Sequence, residues 1–312
     1  MPPIRIAVIG VGKIARDQHL PVIAANPEFE LAALVSREDP AMAAPWFPTL
    51  DALLDSNTPV DAIALCTPTK IRYQPATKAM QHGLHCLLEK PPAATLSEFE
   101  AMRSVSQDTG STLFVAWHSR YAACVEMARQ WLAQRKILSA AVSWREDVRH
   151  WHPGQSWIWE PEGFGVFDPG SNALSIATAI LPRPFFLTEA TLCIPANRAA
   201  PIAADLTFSD GHDLTVTMEF DWRQTGPQSW DIVVETDAGT LSLTNGGANL
   251  SLPGDPQIHG AGVYGGLRAE YAGLYARFAA LIAAGQSEAD IAPLRHVADA
   301  FLRGRRTTVE AF

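Results

Sequence analysis

The sequence predicts an α/β fold: a doubly wound parallel-sheet domain over residues 1–120, followed by an α+β domain with an open, mainly antiparallel sheet over residues 121–312. Three observations carry this. Short, wholly apolar runs alternate with helix-like stretches through the first 120 residues, the pattern of parallel strands covered on both faces. Beyond residue 120 the strand-like segments show period-two polarity, the pattern of a sheet with one covered face. The length, 312 residues, accommodates two domains of roughly 100–200 residues each.

Element by element, Ile4–Ile9, Glu30–Val35, Ala62–Cys66, Leu84–Glu89 and Thr112–Ala116 read as buried strands. Ile14–Ala25, Leu50–Asp55, Pro75–His82 and Ser97–Thr109 read as the helices between them. In the second half, Ala122–Arg135 reads as a helix, and Gly165–Leu181 as a helix stopped by Pro182. Alternation marks strands at Ala140–Val148, Thr188–Ile194, Ala203–Phe208, Leu214–Trp222 and Trp230–Thr236, with shorter ones at Leu241–Leu243 and Leu250–Leu252. Ala269–Ala284 and Pro293–Arg303 close the chain as helices, and PANRAAP at 195–201 reads as a loop.

Composition narrows the function classes. The chain is 47% hydrophobic with a formal net charge of -9, and it has no run of Lys or Arg to neutralise phosphates. Nucleic acid and anionic membrane surfaces are therefore not expected partners. The N-terminal MPPIRIAVIGVG has no basic region ahead of a long apolar stretch, and no apolar run reaches the ~18–20 residues that span a bilayer. A cytoplasmic location is the expectation. Cys66, Cys86, Cys124 and Cys193 form no CxxC pair, and His82, His85, His212, His259 and His296 show no paired spacing, so free thiols and no metal site are expected.

Gly10-Val11-Gly12-Lys13-Ile14-Ala15 follows the first strand and opens a helix, as the dinucleotide fingerprint G-x-G-x-x-G/A requires. The first glycine permits the tight turn and the second lets backbone approach a pyrophosphate. Ala15 lets the helix pack close to the strand, and the helix N-terminus offers free N–H groups to phosphate. The second strand ends in Val35-Ser36-Arg37, where an NAD-binding chain usually places an acid. A hydroxyl and a guanidinium suit a 2′-phosphate, so NADP is the expected cofactor, with NAD use left open.

A strand then leads into Glu89-Lys90-Pro91-Pro92. Ligands bind beyond the carboxyl ends of such strands, which points Lys90 toward the nicotinamide end, and Lys90-Pro91 is a candidate cis bond. The order GxGxxA, then Cys66-Thr67-Pro68, then Glu89-Lys90-Pro91 resembles the Gfo/Idh/MocA oxidoreductase family: a Rossmann domain followed by an α/β domain with an open sheet. GKIARDQHLP, EKPPAATL, Trp117-His118-Ser119-Arg120, WHPGQSWIWEP and FDPGSNALSI resemble the bacterial aldose 1-dehydrogenases within it, which oxidise L-arabinose, D-galactose or related sugars.

The resemblance implies cofactor contacts at Gly10, Gly12, Lys13, Ile14, Ser36, Arg37, Cys66, Thr67, Pro68, Glu89, Lys90, His118 and Arg120. It implies a sugar pocket containing Lys90, Glu146, Trp151, His152, Trp230, Asp168 and Asn172, with His118 nearby. The family usually carries an Asp and a His four residues apart on a second-domain helix, and here these positions hold Asp168 and Asn172. Asn cannot titrate, so the proton acceptor is Asp168, with Lys90 stabilising charge on the sugar oxygen, or Lys90 itself; both readings stand at this point. Pro169 also allows Asp168 to be no more than a helix cap, and Arg145 or Arg149 allow Glu146 to be no more than an ion-pair partner. The alternatives to an aldose dehydrogenase are a polyol or dihydrodiol oxidoreductase of the same fold and a non-catalytic sugar sensor. The family tends to pair through its open sheet, which implies a homodimer.

Overall fold

A computed structural model describes residues 2–161, 163–255, 257–260 and 266–312. The chain divides into two compact units. The first comprises residues 1–118 and 267–291, and the second residues 119–266 and 292–312.

In the first unit, strands β1 (Ile4–Ile9), β2 (Phe29–Val35), β3 (Trp46–Phe47), β4 (Ala62–Leu65), β5 (His85–Glu89) and β6 (Leu113–Ala116) form one parallel sheet ordered β3-β2-β1-β4-β5-β6. Ile6, Ala7, Val8, Ile63, Leu65, Leu87 and Leu88 are buried because helices cover both faces, which is why these strands read as unbroken apolar runs. The strand order reverses between β1 and β4, and an open α/β sheet binds its ligands at that crevice.

The expected division at residue 120 places everything after it in the second domain, whereas residues 267–291 belong to the first unit. Packing explains the difference. The helix Leu267–Ala284 buries Tyr271, Leu274, Tyr275 and Phe278. Tyr275 packs edge-on against Phe29 at 5.2 Å, and Phe278 stacks between Phe29 and Phe114 at 6.2 and 5.9 Å. Each such ring removed from water is worth about 1.5–3 kcal/mol, so a segment distant in sequence completes this core.

The helix expected at Ile14–Ala25 forms as a widened π-helical stretch, Ala15–His19, running into an α-helix, Leu20–Ala25. Pro21 sits at the start of the α-helical part, where its missing N–H and its ring disfavour regular pairing with the turn before it. The edge strand β3 is two residues long, too short to leave a periodic signal in the sequence.

In the second unit, β7 (Ile137–Arg145), β8 (Phe186–Pro195), β9 (Ala203–Ser209), β10 (Thr215–Asp221), β11 (Ser229–Thr236), β12 (Gly239–Thr244), β13 (Asn249–Ser251), β14 (Ile258–His259) and β15 (Arg305–Val309) form one sheet ordered β14-β13-β12-β11-β7-β10-β9-β8-β15. The pairings are antiparallel except β10–β7 and β15–β8. Along β10, Val216, Met218 and Phe220 are buried while Thr215, Thr217 and Glu219 are exposed, the alternation of a sheet covered on one face. The helix Phe167–Ile180 presses closely on that face: a Cβ on Gly170 would lie 2.7 Å from the Phe220 ring. The helix expected over Ala122–Arg135 is shorter, Val125–Leu132, and β15 follows the last helix unannounced by any alternation.

Candidate functional site

The first unit gathers its chemistry at the carboxyl ends of β1, β4 and β5. Gly10 has φ +89°, and a Cβ there would meet the Cys66 carbonyl carbon and the Thr67 nitrogen at 3.0 Å. Only glycine tolerates both the left-handed backbone and this approach of the two turns. At Gly12 a Cβ would meet nothing within 4 Å, so its backbone is open to a close-lying pyrophosphate. Thr67 Oγ1 is buried with no hydrogen-bond partner among the described residues, an orphaned polar atom at the switch point. A glycine cradle, a helix start and an unsatisfied hydroxyl together fit a nicotinamide dinucleotide. Lys13 is exposed and paired with Asp17, and Arg37 is exposed. The Ser36 hydroxyl donates to the Glu38 carbonyl at 2.6 Å, which leaves its oxygen able to accept but directs its proton locally.

Lys90 follows β5, and the Lys90-Pro91 bond is cis. The backbone that carries it is held by a buried polar cluster that motif reading passes over. The Arg72 guanidinium donates to the carbonyls of Thr67, Glu89 and Pro91, tying the two turns together. Burial lowers Arg72 to about 10 against the pull of Glu89, so it remains a cation at neutral pH. Glu89 accepts from the Tyr271 hydroxyl at 2.5 Å and from its own neighbour, the Lys90 N–H, at 3.0 Å. His19 bridges Glu89 at 2.8 Å and the Tyr275 hydroxyl at 2.8 Å. Burial alone would raise the Glu89 carboxyl; the hydrogen bond and charge of His19, with the Tyr271 hydroxyl, outweigh it and hold Glu89 at about 2. Burial alone would depress His19, and its neighbours Cys66, Tyr275 and Glu89 instead raise it well above the usual range.

His118 Nδ1 lies 2.6 Å from Glu270 Oε2, and its ring stacks on Tyr271 at 5.4 Å. Tyr271, Tyr275 and Glu270 therefore reach this cluster from a helix that chain order separates from it. Arg72 carries no motif signal, and His19 lies inside GKIARDQHLP without being assigned a role there.

The second unit brings together four residues that the resemblance assigns to a sugar pocket: Glu146, His152, Asp168 and Trp230. Glu146, just past β7, is 4% exposed. Its Oε1 accepts from Trp222 Nε1 at 3.2 Å and its Oε2 from Trp230 Nε1 at 3.0 Å. Arg145 pairs with Glu219 and Arg149 with Asp147. His152 Nε2 lies 3.6 Å from Asp168 Oδ2 and 3.9 Å from Glu146 Oε1.

Asp168 lies in the first turn of the helix Phe167–Ile180, whose cap is Val166, so the reading of Asp168 as the cap is corrected. The helix begins at Phe167, which places Pro169 inside its first turn. In that turn a carboxylate is favoured by the helix dipole. Asn172 shares the face of Asp168 at a spacing of four and is half-buried.

Trp151 is 41% exposed, donates to Gln228 Oε1 at 3.1 Å and packs against Trp230 at 5.4 Å. Trp144 is buried and stacks on Trp230 at 6.1 Å. Trp222, which no motif marks, is fully buried, and its ring contacts both His152 and Trp159. Arg120, expected at the cofactor, directs Nε to the Ser175 carbonyl at 3.0 Å and a terminal nitrogen to Thr178 Oγ1 at 3.1 Å, both on the helix that carries Asp168. Lys90 and Asp168 belong to different units. Among the described residues no group of His, Cys, Asp and Glu is arranged to hold a metal ion, and no helix is long and apolar enough to cross a membrane.

Residues 4–117 match the GFO_IDH_MocA model, described as an oxidoreductase family with an NAD-binding Rossmann fold. The whole chain is 44% identical over 312 residues to galactose 1-dehydrogenase from Pseudomonas fluorescens, covering 100% of this chain and 99% of that one. The chain belongs to the Gfo/Idh/MocA oxidoreductase family. A crystal structure of a D-galactose-1-dehydrogenase protein from Rhizobium etli superposes with a TM-score of 0.93 at 53% identity, covering 100% of this chain and 98% of that one. A second member of the fold, a 3-ketoreductase from Actinomadura kijaniata crystallised with NADP, superposes with a TM-score of 0.81 at 18% identity over 98% of this chain and 99% of that one. At that identity the likeness concerns the fold alone.

Proposed function

We propose that the chain is an NADP-linked aldose 1-dehydrogenase that oxidises C1 of a pyranose of the D-galactose or L-arabinose type to the aldonolactone. The observation that carries the proposal is the cluster of Glu146, His152 and Asp168 beside the Trp222 and Trp230 indoles, in a chain this similar to two galactose 1-dehydrogenases. Carboxylates and an imidazole match sugar hydroxyls, and indole faces match the apolar C–H face of a pyranose.

The bound nicotinamide supplies the hydride acceptor; the residues of the chain do the rest. Gly10, Gly12 and Thr67 hold the dinucleotide, and Ser36 and Arg37 select a 2′-phosphate. Glu146, Trp151, His152 and Trp230 orient the sugar. Asp168 takes the proton of the C1 hydroxyl, Asn172 orients that hydroxyl, and the Lys90 ammonium stabilises the developing oxyanion. Fixed polar groups of this kind cost no reorganisation in the transition state. A homodimer formed through the open sheet of the second unit completes the proposal, and sedimentation as a monomer at micromolar concentration would contradict that part.

The test is absorbance at 340 nm with NADP or NAD and a panel of aldoses and polyols. Reduction with D-galactose or L-arabinose, faster with NADP, is the expected result. Activity confined to inositol-like polyols, or none with any sugar, would overturn the reading in favour of another oxidoreductase or a non-catalytic sensor.

A further inference from the structure

The Gfo/Idh/MocA resemblance leaves position 172 without the titrating imidazole found in relatives, since Asn172 stands there. A different imidazole reaches the same carboxylate from the segment after β7. His152 Nε2 lies 3.6 Å from Asp168 Oδ2 and 3.9 Å from Glu146 Oε1. On the other side of the ring, Nδ1 lies 3.3 Å from Gln155 Oε1, an oxygen that only accepts. Nε2 faces the Asp168 and Glu146 carboxylates. The Trp222 ring fixes the imidazole plane at 5.3 Å, and the Trp222 N–H fixes Glu146. The remaining charged groups on its own short helix are occupied: Asp147 pairs with Arg149, and His150 packs edge-on against Trp151.

We infer that His152 is the proton relay behind Asp168, replacing in space the imidazole that position 172 lacks. This rests on the aldose dehydrogenase reading. C1 loses its hydrogen as hydride to the nicotinamide, and the O–H bonding pair becomes the second C–O bond. The hydroxyl proton passes to Asp168 and from Asp168 to His152 Nε2. The imidazolium so formed then gives up one proton to water, the His152 side chain being 16% exposed. His152 thereby returns Asp168 to its anionic form for the next turnover.

The experiment compares the parent with His152→Gln, His152→Ala, Asp168→Asn and His152→Gln combined with Asp168→Asn, using galactose and NADP across a pH series. The inference predicts that kcat falls about 100-fold or more in both His152 variants, within the usual range for acid–base assistance. It predicts that the sugar KM changes less than kcat, and that added imidazole restores kcat of His152→Ala. The double variant is no slower than Asp168→Asn, because the two residues act in one chain of transfer. A large rise in KM at unchanged kcat, or losses that multiply in the double variant without rescue by imidazole, would make His152 a sugar contact only and overturn the relay. Absence of turnover by the parent with every aldose overturns the functional reading itself, and the relay with it.

Discussion

The Tyr271 hydroxyl donates to Glu89 Oε1 at 2.5 Å, joining a helix near the end of the chain to the residue immediately before Lys90. Hydrogen bonds to a buried charge contribute about 1.5–3 kcal/mol. Tyr271→Phe keeps the ring packing and removes the donor, so it lowers unfolding free energy by about that amount in a urea titration. An unchanged denaturation midpoint would show that the contact contributes nothing.

Glu89 also sets an acid limit. Its folded value of about 2 is depressed from the unfolded 4.5, so its stabilisation is complete above pH 4.5 and is lost as pH falls toward 2. A shift of this size corresponds to about 3 kcal/mol. His19 is raised, so its contribution is present below its unfolded value of 6.5 and is lost only as pH rises through its higher folded value. Thermal melts of Glu89→Gln against the parent should differ most at neutral pH and converge only as pH approaches about 2.

Gly10→Ala strains a backbone at φ +89° and drives a methyl to 3.0 Å from the Cys66–Thr67 peptide. A loss of more than about 1 kcal/mol of stability is expected, together with weaker dinucleotide binding, read by calorimetry and by nucleotide fluorescence. Gly12→Ala meets no neighbour within 4 Å. It should leave stability within about 1 kcal/mol and weaken only the nucleotide.

Arg37 lies exposed just past the end of β2. Arg37→Ala is expected to lower the ratio of kcat/KM for NADP over NAD by about tenfold, the worth of one charge-assisted contact to phosphate. An unaltered ratio would remove Arg37 from cofactor selection.

Much of this was legible in the sequence, and the parts that were not have physical reasons. The strands of the first sheet and the glycine turn are local signals: apolar runs, a break, a capped helix. The second sheet shows in alternation, as in Val216, Met218 and Phe220 against Thr215, Thr217 and Glu219. Side chains that meet through space leave no such mark. Tyr271 and Tyr275 look like ordinary apolar positions of an amphipathic helix, and nothing in their spacing ties them to Glu89 or His19. Arg72 belongs to no motif, yet its guanidinium donates to three carbonyls. Trp222 reads as the last inward residue of a strand, whereas its indole nitrogen is a donor to Glu146.

Trp222→Phe tests that last contact. The ring still fills the core beside His152, while Glu146 Oε1 loses a donor. An increase of about 5- to 30-fold in sugar KM is expected, equivalent to about 1–2 kcal/mol, with the NADP KM unchanged. Equal effects on both substrates would point to general loosening of the second unit.

In the proposed reaction, hydride leaves C1 of an aldose. D-galactose carrying deuterium at C1 tests it directly, with the reduced nucleotide recovered and analysed by mass spectrometry and proton NMR. One deuterium at C4 of the nicotinamide ring and a slowed rate of nucleotide reduction are expected. Reduced nucleotide free of deuterium, with the label retained in the sugar product, would contradict it.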